Sequence, residues 1–85
     1  MNNVWFGNEA VTVEAHLLAN GKVKPIAFTW RERRWQVSGL GRQWDEADGR
    51  HVLVTTSDGG RFELCLRSDQ NRWQLVRAWE RSILA

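Results

Sequence analysis

Arginine and tryptophan side chains are interleaved in one short segment of the chain. The segment is Trp30-Arg31-Glu32-Arg33-Arg34-Trp35, and an arginine and a tryptophan follow it at positions 42 and 44. Bases stack on exposed aromatic rings at about 1–3 kcal/mol each, while guanidinium groups pair with the phosphates of a single strand. The pattern predicts a single-stranded nucleic-acid site. Its candidate residues are Trp30, Arg31, Arg33, Arg34, Arg42 and Trp44.

The same residues also have a structural interpretation. Guanidinium groups stack on indole rings inside folded proteins as well as against ligands. In this alternative, Trp30 caps the hydrophobic core with Arg33 stacked on it, and Trp44 folds down over the surface as a lid. The sequence leaves open whether Trp30 and Trp44 are exposed, so both interpretations stand.

Residues that could support catalysis or metal binding lack the necessary spacing. His16 and His51 fit none of the short His or Cys spacings that bind metals, so we predict no metal site and place both near solvent on strand faces. Cys65 has no base placed to activate it and is expected to be a small buried hydrophobic residue. The acidic run 45–48 is typical of a solvated loop, paired with Arg42 or Arg50. We therefore predict no enzyme activity, no catalytic residue and no cofactor.

The composition is that of one small globular domain. The chain has 85 residues, of which 42% are hydrophobic and 26% charged, and its formal net charge is only +2. Lys22 and Lys24 are the only lysines among the 12 basic residues, so arginine dominates the positive charge. A single cysteine excludes an internal disulfide. No apolar run approaches the roughly 18 residues of a membrane helix, and no signal-peptide pattern is visible. We expect a cytoplasmic protein with no membrane association.

Alternation of apolar and polar residues predicts an all-β fold. We expect an antiparallel six-strand meander that curls into a small barrel or strongly bent sheet. The predicted strands are 11–18, 22–30, 33–38, 51–56, 61–67 and 72–78, with a glycine-rich loop over 39–50. The predicted turns are Asn20-Gly21, Arg31-Glu32, Ser57–Gly60 and Ser68–Asn71. Residues 1–10 are expected to be a flexible or loosely packed segment, 11–79 a single β domain, and 80–85 a C-terminal tail. A short C-terminal helix over 79–85 is compatible with the spacing.

These turns place apolar residues opposite one another on a single face of the sheet. The expected pairs include Val13 with Phe28, Phe28 with Trp35, Leu53 with Leu64, and Leu64 with Leu75. A slip of one residue would turn such a set toward the other face. The predicted buried face is Val11, Val13, Ile26, Phe28, Trp35, Val37, Leu53, Phe62, Leu64, Leu66, Trp73 and Leu75.

The second face carries an apolar island at Val52, Val54, Cys65 and Val76. Val52, Val54 and Val76 are the candidate surface for a partner strand or a second copy of the chain. Glu63 lies on the same face and is expected to be half-buried. Its candidate partners are Arg61, Arg67 and Arg77.

Residues 25–37 contain a motif. Their sequence is Pro25-Ile26-Ala27-Phe28-Thr29-Trp30-Arg31-Glu32-Arg33-Arg34-Trp35-Gln36-Val37. It resembles the P-x-x-F-x-W-R-G-R-x-aromatic-x-V signature of a family of small uncharacterised bacterial domains, and the likeness extends over roughly residues 11–79. The resemblance implies a small all-β domain in a DNA-repair or translesion-polymerase context, with no established activity. Glu32 stands where that signature has glycine.

Two functions from different classes follow from these observations. The first is a small non-enzymatic module that binds single-stranded nucleic acid, as an accessory of DNA repair. The alternative is a protein-protein interaction or homodimerisation domain. Neither requires a small-molecule cofactor.

Overall fold

The computed structural model describes residues 4–79, which form seven antiparallel strands and no helix. The strands are β1 (Val4–Ala10), β2 (Thr12–Leu17), β3 (Val23–Trp30), β4 (Arg33–Glu46), β5 (Gly49–Thr56), β6 (Arg61–Arg67) and β7 (Arg72–Trp79). They make one sheet in the order β1-β7-β6-β5-β4-β3-β2, which curls strongly into a half-barrel. The predicted all-β antiparallel fold is confirmed. The described residues include no helix with the length and apolar character needed to cross a membrane.

The two edge strands of the sheet are consecutive in the chain. β1 pairs with β7 and β2 pairs with β3, yet only Val11 separates β1 from β2. The Val11 amide donates a hydrogen bond to the Trp73 carbonyl at 3.2 Å, where the chain passes from one edge toward the other. This connection requires the sheet to curl. The Cα radius of gyration of 12.0 Å is about that of a compact chain of this length.

β1 is the strand that the sequence analysis did not predict. It adds a seventh strand over part of the segment expected to be loosely packed, and it pairs with β7 from Val4 to Ala10. Its Trp5 ring lies 5.4 Å from the Trp30 ring, so β1 also contributes to the core. The predicted tail 80–85 lies outside the described residues. Trp79, the first residue of the proposed C-terminal helix, is the last residue of β7.

The β2–β3 turn is longer than predicted, yet its pairing is largely retained. Within this turn only Gly21 takes a positive φ, 84°. Its amide donates to the Leu18 carbonyl at 2.9 Å, so the turn starts at Leu18. This moves the nearby pairs by one residue. A bulge between Glu14 and Ala15 then restores the predicted pairing of Val13 with Phe28.

The β3–β4 turn is the predicted two-residue turn. Arg31 and Glu32 have φ values of 54° and 61°, as a type I′ turn requires, and Trp30 pairs with Arg33. The predicted pairing of Phe28 with Trp35 is confirmed.

Glu32→Gly should stabilise the protein. A residue with a side chain in the left-handed region costs about 1–2 kcal/mol, and glycine avoids that cost but loses more backbone entropy on folding. We expect a net gain of about 0.5–1 kcal/mol in the free energy of unfolding, measured by chemical denaturation. Glu32→Ala is the matched control, since it removes the carboxylate and keeps the β-carbon. An equal gain in both variants would attribute the effect to charge and contradict the backbone explanation.

The predicted loop over 39–50 is wrong. β4 continues to Glu46, a two-residue turn follows, and β5 begins at Gly49. Gly39 and Gly41 lie at β-bulges of β4. These bulges interrupt the β4–β5 register between Val37 and Gly39 and between Leu40 and Gln43.

The predicted register of β5 against β6 is also wrong, by one residue. Thr56 and Gly60 are hydrogen-bonded at 2.9 Å, and Gly59 takes a φ of 89°, which leaves three residues in the loop where four were predicted. Val52 therefore pairs with Leu64, and Val54 pairs with Phe62. The one-residue difference turns Val52 and Val54 into the core, while Leu53 lies half-buried on the opposite face.

The β6–β7 hairpin has the predicted register near its turn. Leu64 pairs with Leu75 and Leu66 pairs with Trp73. Farther from the turn, a bulge between Leu64 and Glu63 shifts the register. The core inside the curled sheet is Val23, Phe28, Trp30, Trp35, Val52, Val54, Phe62, Leu64, Leu75 and Ala78. Five of the predicted buried residues are confirmed in it: Phe28, Trp35, Phe62, Leu64 and Leu75. Val11, Val13, Val37, Leu66 and Trp73 are partly buried against it.

Candidate functional site

The structure divides the six predicted nucleic-acid residues between two places. Trp30, Arg31, Arg33 and Arg34 lie at the β3–β4 turn, whereas Arg42 and Trp44 lie near the other end of β4. Arg33 and Trp44 are separated by a strand length on the order of 30 Å. One binding surface cannot include them all at close range.

At the β3–β4 turn the rings are buried. Trp30 is only 2% exposed, contacts the rings of Trp35 and Phe62, and donates its indole N–H to Glu9. The Arg31 guanidinium lies 4.3 Å from the Trp30 ring centroid, and that of Arg33 lies 3.9 Å from the Trp35 centroid. Trp30 therefore caps the core, as in the structural interpretation, although Arg31 and not Arg33 covers it. Its ring offers no exposed face for a base.

Two arginines near this turn are held in ion pairs. Arg33 Nη2 donates to Asp58 Oδ2 at 2.5 Å, and Arg34 Nε donates to Glu14 Oε2 at 3.0 Å. Hydrogen bonding to Arg34 and its positive charge lower the pKa of Glu14. Such exposed pairs add little stability, but they place a carboxylate beside each guanidinium that a phosphate would have to approach.

Trp44 is half-buried on the outer, convex face of the sheet. The Arg42 guanidinium lies 5.1 Å from its ring centroid, and the His51 ring stacks against it with centroids 5.3 Å apart and planes at 18°. Its indole N–H donates to Glu46. Within residues 4–79, no carboxylate pairs with Arg42, so this cation and indole remain together as a candidate binding element.

The outer face also carries a buried chain of charged side chains, which we call the His51 chain. His51 Nε2 lies 2.8 Å from Asp48 Oδ1, and its Nδ1 lies 2.7 Å from Glu63 Oε2. The chain continues because Arg77 Nη2 donates to Glu63 Oε1 at 2.6 Å. His51 and Glu63 are 4% and 5% exposed. The prediction that His51 lies near solvent is wrong, because Trp44 stacks over it, whereas Arg77 is confirmed as a partner of Glu63.

Burial and hydrogen bonding shift the pKa values of the groups in the His51 chain. Burial opposes the charged imidazolium, but hydrogen bonds to Asp48 and Glu63 outweigh it and raise the pKa of His51. The hydrogen bond with His51 lowers the pKa of Asp48. Cys65, which pairs with His51 across the β5–β6 ladder, is buried as predicted, and burial raises its thiol pKa to about 11. Such a thiol is not a nucleophile near neutral pH.

A second group of arginines and aromatic rings lies on the outer face of β6 and β7. The guanidinium groups of Arg61 and Arg77 each lie 4.8 Å from the Trp79 ring centroid. Phe6, which is 68% exposed, pairs with Arg77 across the β1–β7 ladder. A cavity of about 160 Å³ adjoins Trp79, and we call it the Trp79 groove. Its lining includes Gly41, Leu53, Thr55, Arg61 and Trp79.

Sequence reasoning missed the Trp79 groove because its residues come from four strands, β4 to β7. Their only local signal was the i, i+2 spacing of Arg77 and Trp79, which places both on one face of a strand. Gly41 lines the groove without a side chain. A β-carbon at this position would lie 3.3 Å from the Leu53 side chain.

The predicted protein-interaction surface is not exposed. Val52 and Val54 are 0% and 2% exposed and belong to the core, because of the β5–β6 register described above. Val76 is half-buried. Of the predicted partners for the acidic run, Arg50 is the one that binds it, with Nε 2.5 Å from Asp45 Oδ1.

Comparisons with known proteins do not add to these observations. No protein-family model matches the chain. No curated protein and no solved structure is significantly similar to it either. The resemblance noted in the sequence therefore stays a prediction, and the function is argued from the residues of this chain.

Proposed function

We propose that this protein is a non-enzymatic module that binds single-stranded nucleic acid on the outer face of β4 to β7. The observation that carries the proposal is Trp79, a half-buried indole with two guanidinium groups 4.8 Å away and a groove beside it. A base that stacks on an aromatic ring brings its phosphate within reach of neighbouring cations. Arg42 on Trp44 supplies a second indole and cation on the same face.

The charge distribution favours weak binding in which stacking contributes more than phosphate contacts. The formal net charge is only +2, and Arg33, Arg34, Arg50, Arg67 and Arg77 are all engaged in ion pairs. If two cations contact phosphates, log K should fall against log salt with a slope of about −1.4 on a single strand. Bases in a duplex stay stacked on one another, so this site would favour single strands.

Titration of a fluorescent single-stranded oligonucleotide at low salt, followed by anisotropy, tests the proposal. We expect Trp79→Ala to weaken binding about fivefold or more, since stacking contributes about 1–3 kcal/mol per base. Trp79→Phe should retain much of the affinity. Arg42→Ala should weaken binding and reduce the salt slope.

Arg34→Ala is the matched control, because Arg34 is bound to Glu14 and lies far along β4 from Arg42. It should bind like the unmodified protein. The proposal is wrong if no binding is detected at low salt, or if Arg34→Ala and Trp79→Ala lose the same affinity while both remain folded.

The resemblance to domains in DNA-repair contexts favours DNA as the ligand, and parallel titrations with DNA and RNA oligonucleotides of one sequence distinguish the two. We place the module in the cytoplasm, where thiols such as that of Cys65 stay reduced.

A second candidate function is self-association through the edge strand β2. Among residues 4–79 this strand has a partner on one side only, and Leu17 at its end is 78% exposed. Unpaired edges are sites where another strand can add. Size-exclusion chromatography with light scattering should then show a dimer that Leu17→Lys dissociates; a monomer would rule out this candidate.

A further inference from the structure

Asp48, Cys65 and Glu46 lie close to the His51 ring and make, together with His51, four potential metal ligands. The donor atoms of Asp48, His51 and Cys65 all lie within 4.8 Å of one another. Glu46 Oε2 lies 3.8 Å from His51 Nε2 and is oriented by the Trp44 indole N–H. The sequence spacing gave no sign of this group, since two of its members come from the β4–β5 turn region and two from neighbouring strands.

The other ring nitrogen of His51 is held as in many metal sites. Metal-binding histidines usually donate their second ring N–H to a carboxylate, which fixes the ring and makes the free nitrogen more basic. Here Glu63 Oε2 takes that position, 2.7 Å from His51 Nδ1, and Arg77 holds the other Glu63 oxygen at 2.6 Å. His51 Nε2 therefore points toward the side where Asp48, Glu46 and Cys65 lie.

A second observation comes from the neighbouring strand. Gln74 lies opposite Cys65 in the β6–β7 ladder, on the same face of the sheet. Its Oε1 atom is buried without a hydrogen-bond partner in the described part of the chain. Buried oxygens usually have a hydrogen-bond partner, and this one belongs to the residue paired with the proposed ligand Cys65.

We propose that Asp48, His51 and Cys65 bind one Zn²⁺, with Glu46 or a water as the fourth ligand. A thiolate, an imidazole and carboxylates are the ligand types that zinc takes in tetrahedral sites. Magnesium and calcium prefer oxygen ligands alone. Ligand atoms around tetrahedral zinc are about 3.3–3.8 Å apart, so the group must contract by about 1 Å. Asp48 is half-exposed in a turn and can make that adjustment, while His51 and Cys65 are held by the sheet.

The binding step balances in protons and charge. Zn²⁺ forms bonds to Cys65 Sγ, His51 Nε2 and a carboxylate oxygen. The Cys65 thiol releases its proton to solvent, and the proton that lies between His51 Nε2 and Asp48 Oδ1 is also released. Two positive charges enter as two protons leave, so the net charge of the buried group is unchanged. No oxidant or reductant takes part.

Titration with Zn²⁺ and Co²⁺ alone tests this site independently of any nucleic acid. We expect one equivalent of Zn²⁺ to bind and to raise the melting temperature by about 10–20 °C when free metal exceeds the dissociation constant a hundredfold. Co²⁺ should give the intense visible bands of a tetrahedral site and a sulfur-to-cobalt charge-transfer band near the ultraviolet.

Variants then locate the ligands. Cys65→Ser should abolish the charge-transfer band, and Asp48→Asn, in a half-exposed turn that tolerates change, should weaken metal affinity while the protein stays folded. Glu63→Gln should weaken affinity about 10–100-fold and keep the charge-transfer band, because Glu63 positions His51 without touching the metal. His16→Gln is the matched control for the other histidine and should bind metal normally. Absence of binding, cobalt spectra without the thiolate band, or affinity that Asp48→Asn leaves unchanged would each overturn the proposal.

Discussion

Gly49→Ala should lower the free energy of unfolding by about 3–5 kcal/mol, among the largest effects of any single substitution. Gly49 begins β5 with a φ of 148°, where side chains are strained. A β-carbon there would lie 2.1 Å from the Leu66 carbonyl oxygen and 2.9 Å from its carbonyl carbon. These are backbone atoms of β6, so relief requires the β5–β6 ladder to open. A domain of this size has a total stability of only about 4–13 kcal/mol.

Gly59→Ala is the matched control for Gly49→Ala. Gly59 also has a positive φ, 89°, but a β-carbon there meets no atom of the described chain within 4 Å. Its substitution carries the conformational cost alone, about 1–2 kcal/mol. Thermal unfolding should therefore show a fall of more than about 12 °C for Gly49→Ala and a clearly smaller one for Gly59→Ala. Equal falls would show that backbone strain, and not contact with β6, determines both.

Phe62→Ala should have a similarly large effect, about 3–5 kcal/mol. Phe62 is fully buried at the centre of the aromatic core. Its ring centroid lies 4.9 Å from those of both Phe28 and Trp35, in edge-on contacts, and 5.9 Å from that of Trp30. Removal of the ring loses the buried area and leaves a cavity among rings that cannot close it without losing their own contacts.

Phe6→Ala is the matched control for Phe62→Ala, since it deletes the same ring from a site that is 68% exposed. Substitution there should change stability by about 0.5 kcal/mol or less. Urea denaturation of the three proteins measures the difference from their midpoints. A loss below about 1 kcal/mol for Phe62→Ala would contradict the position of the core described above.

The parts of the fold that were predicted correctly depend on local interactions. The Arg31-Glu32 turn sets the pairing of Phe28 with Trp35, and the four-residue turn at 68–71 sets that of Leu64 with Leu75. In both hairpins, residues adjacent in sequence determine the loop length, and the loop length determines the register.

The errors arose where sequence allows two local solutions. Ser57-Asp58-Gly59-Gly60 can form a four-residue loop or, as found, a three-residue loop in which Gly59 takes positive φ and Gly60 pairs with Thr56. β5 has apolar residues on both faces, so alternation could not show which solution was right. Likewise, glycines at 39 and 41 are equally compatible with a loop and with a bulged strand.

The candidate sites were likewise predictable from the sequence only in part. The arginine and tryptophan content was evident from sequence, and so was the burial of Cys65. Whether Trp30 faces a ligand or the core depends on the curl of the sheet, which brings Trp5 and Phe62 against it. Contact between His51, Glu63 and Arg77 depends on the registers of two ladders.

The sequence by itself determined that the chain forms antiparallel strands joined by tight turns, because alternation and turn residues act over a few neighbouring positions. The tertiary structure alone decided which face of β5 is inside, which indoles remain at the surface, and which charges meet in the His51 chain. The physical reason is that a side chain alternates between two faces with every residue, so one residue more or less in a turn exchanges the buried and exposed sets.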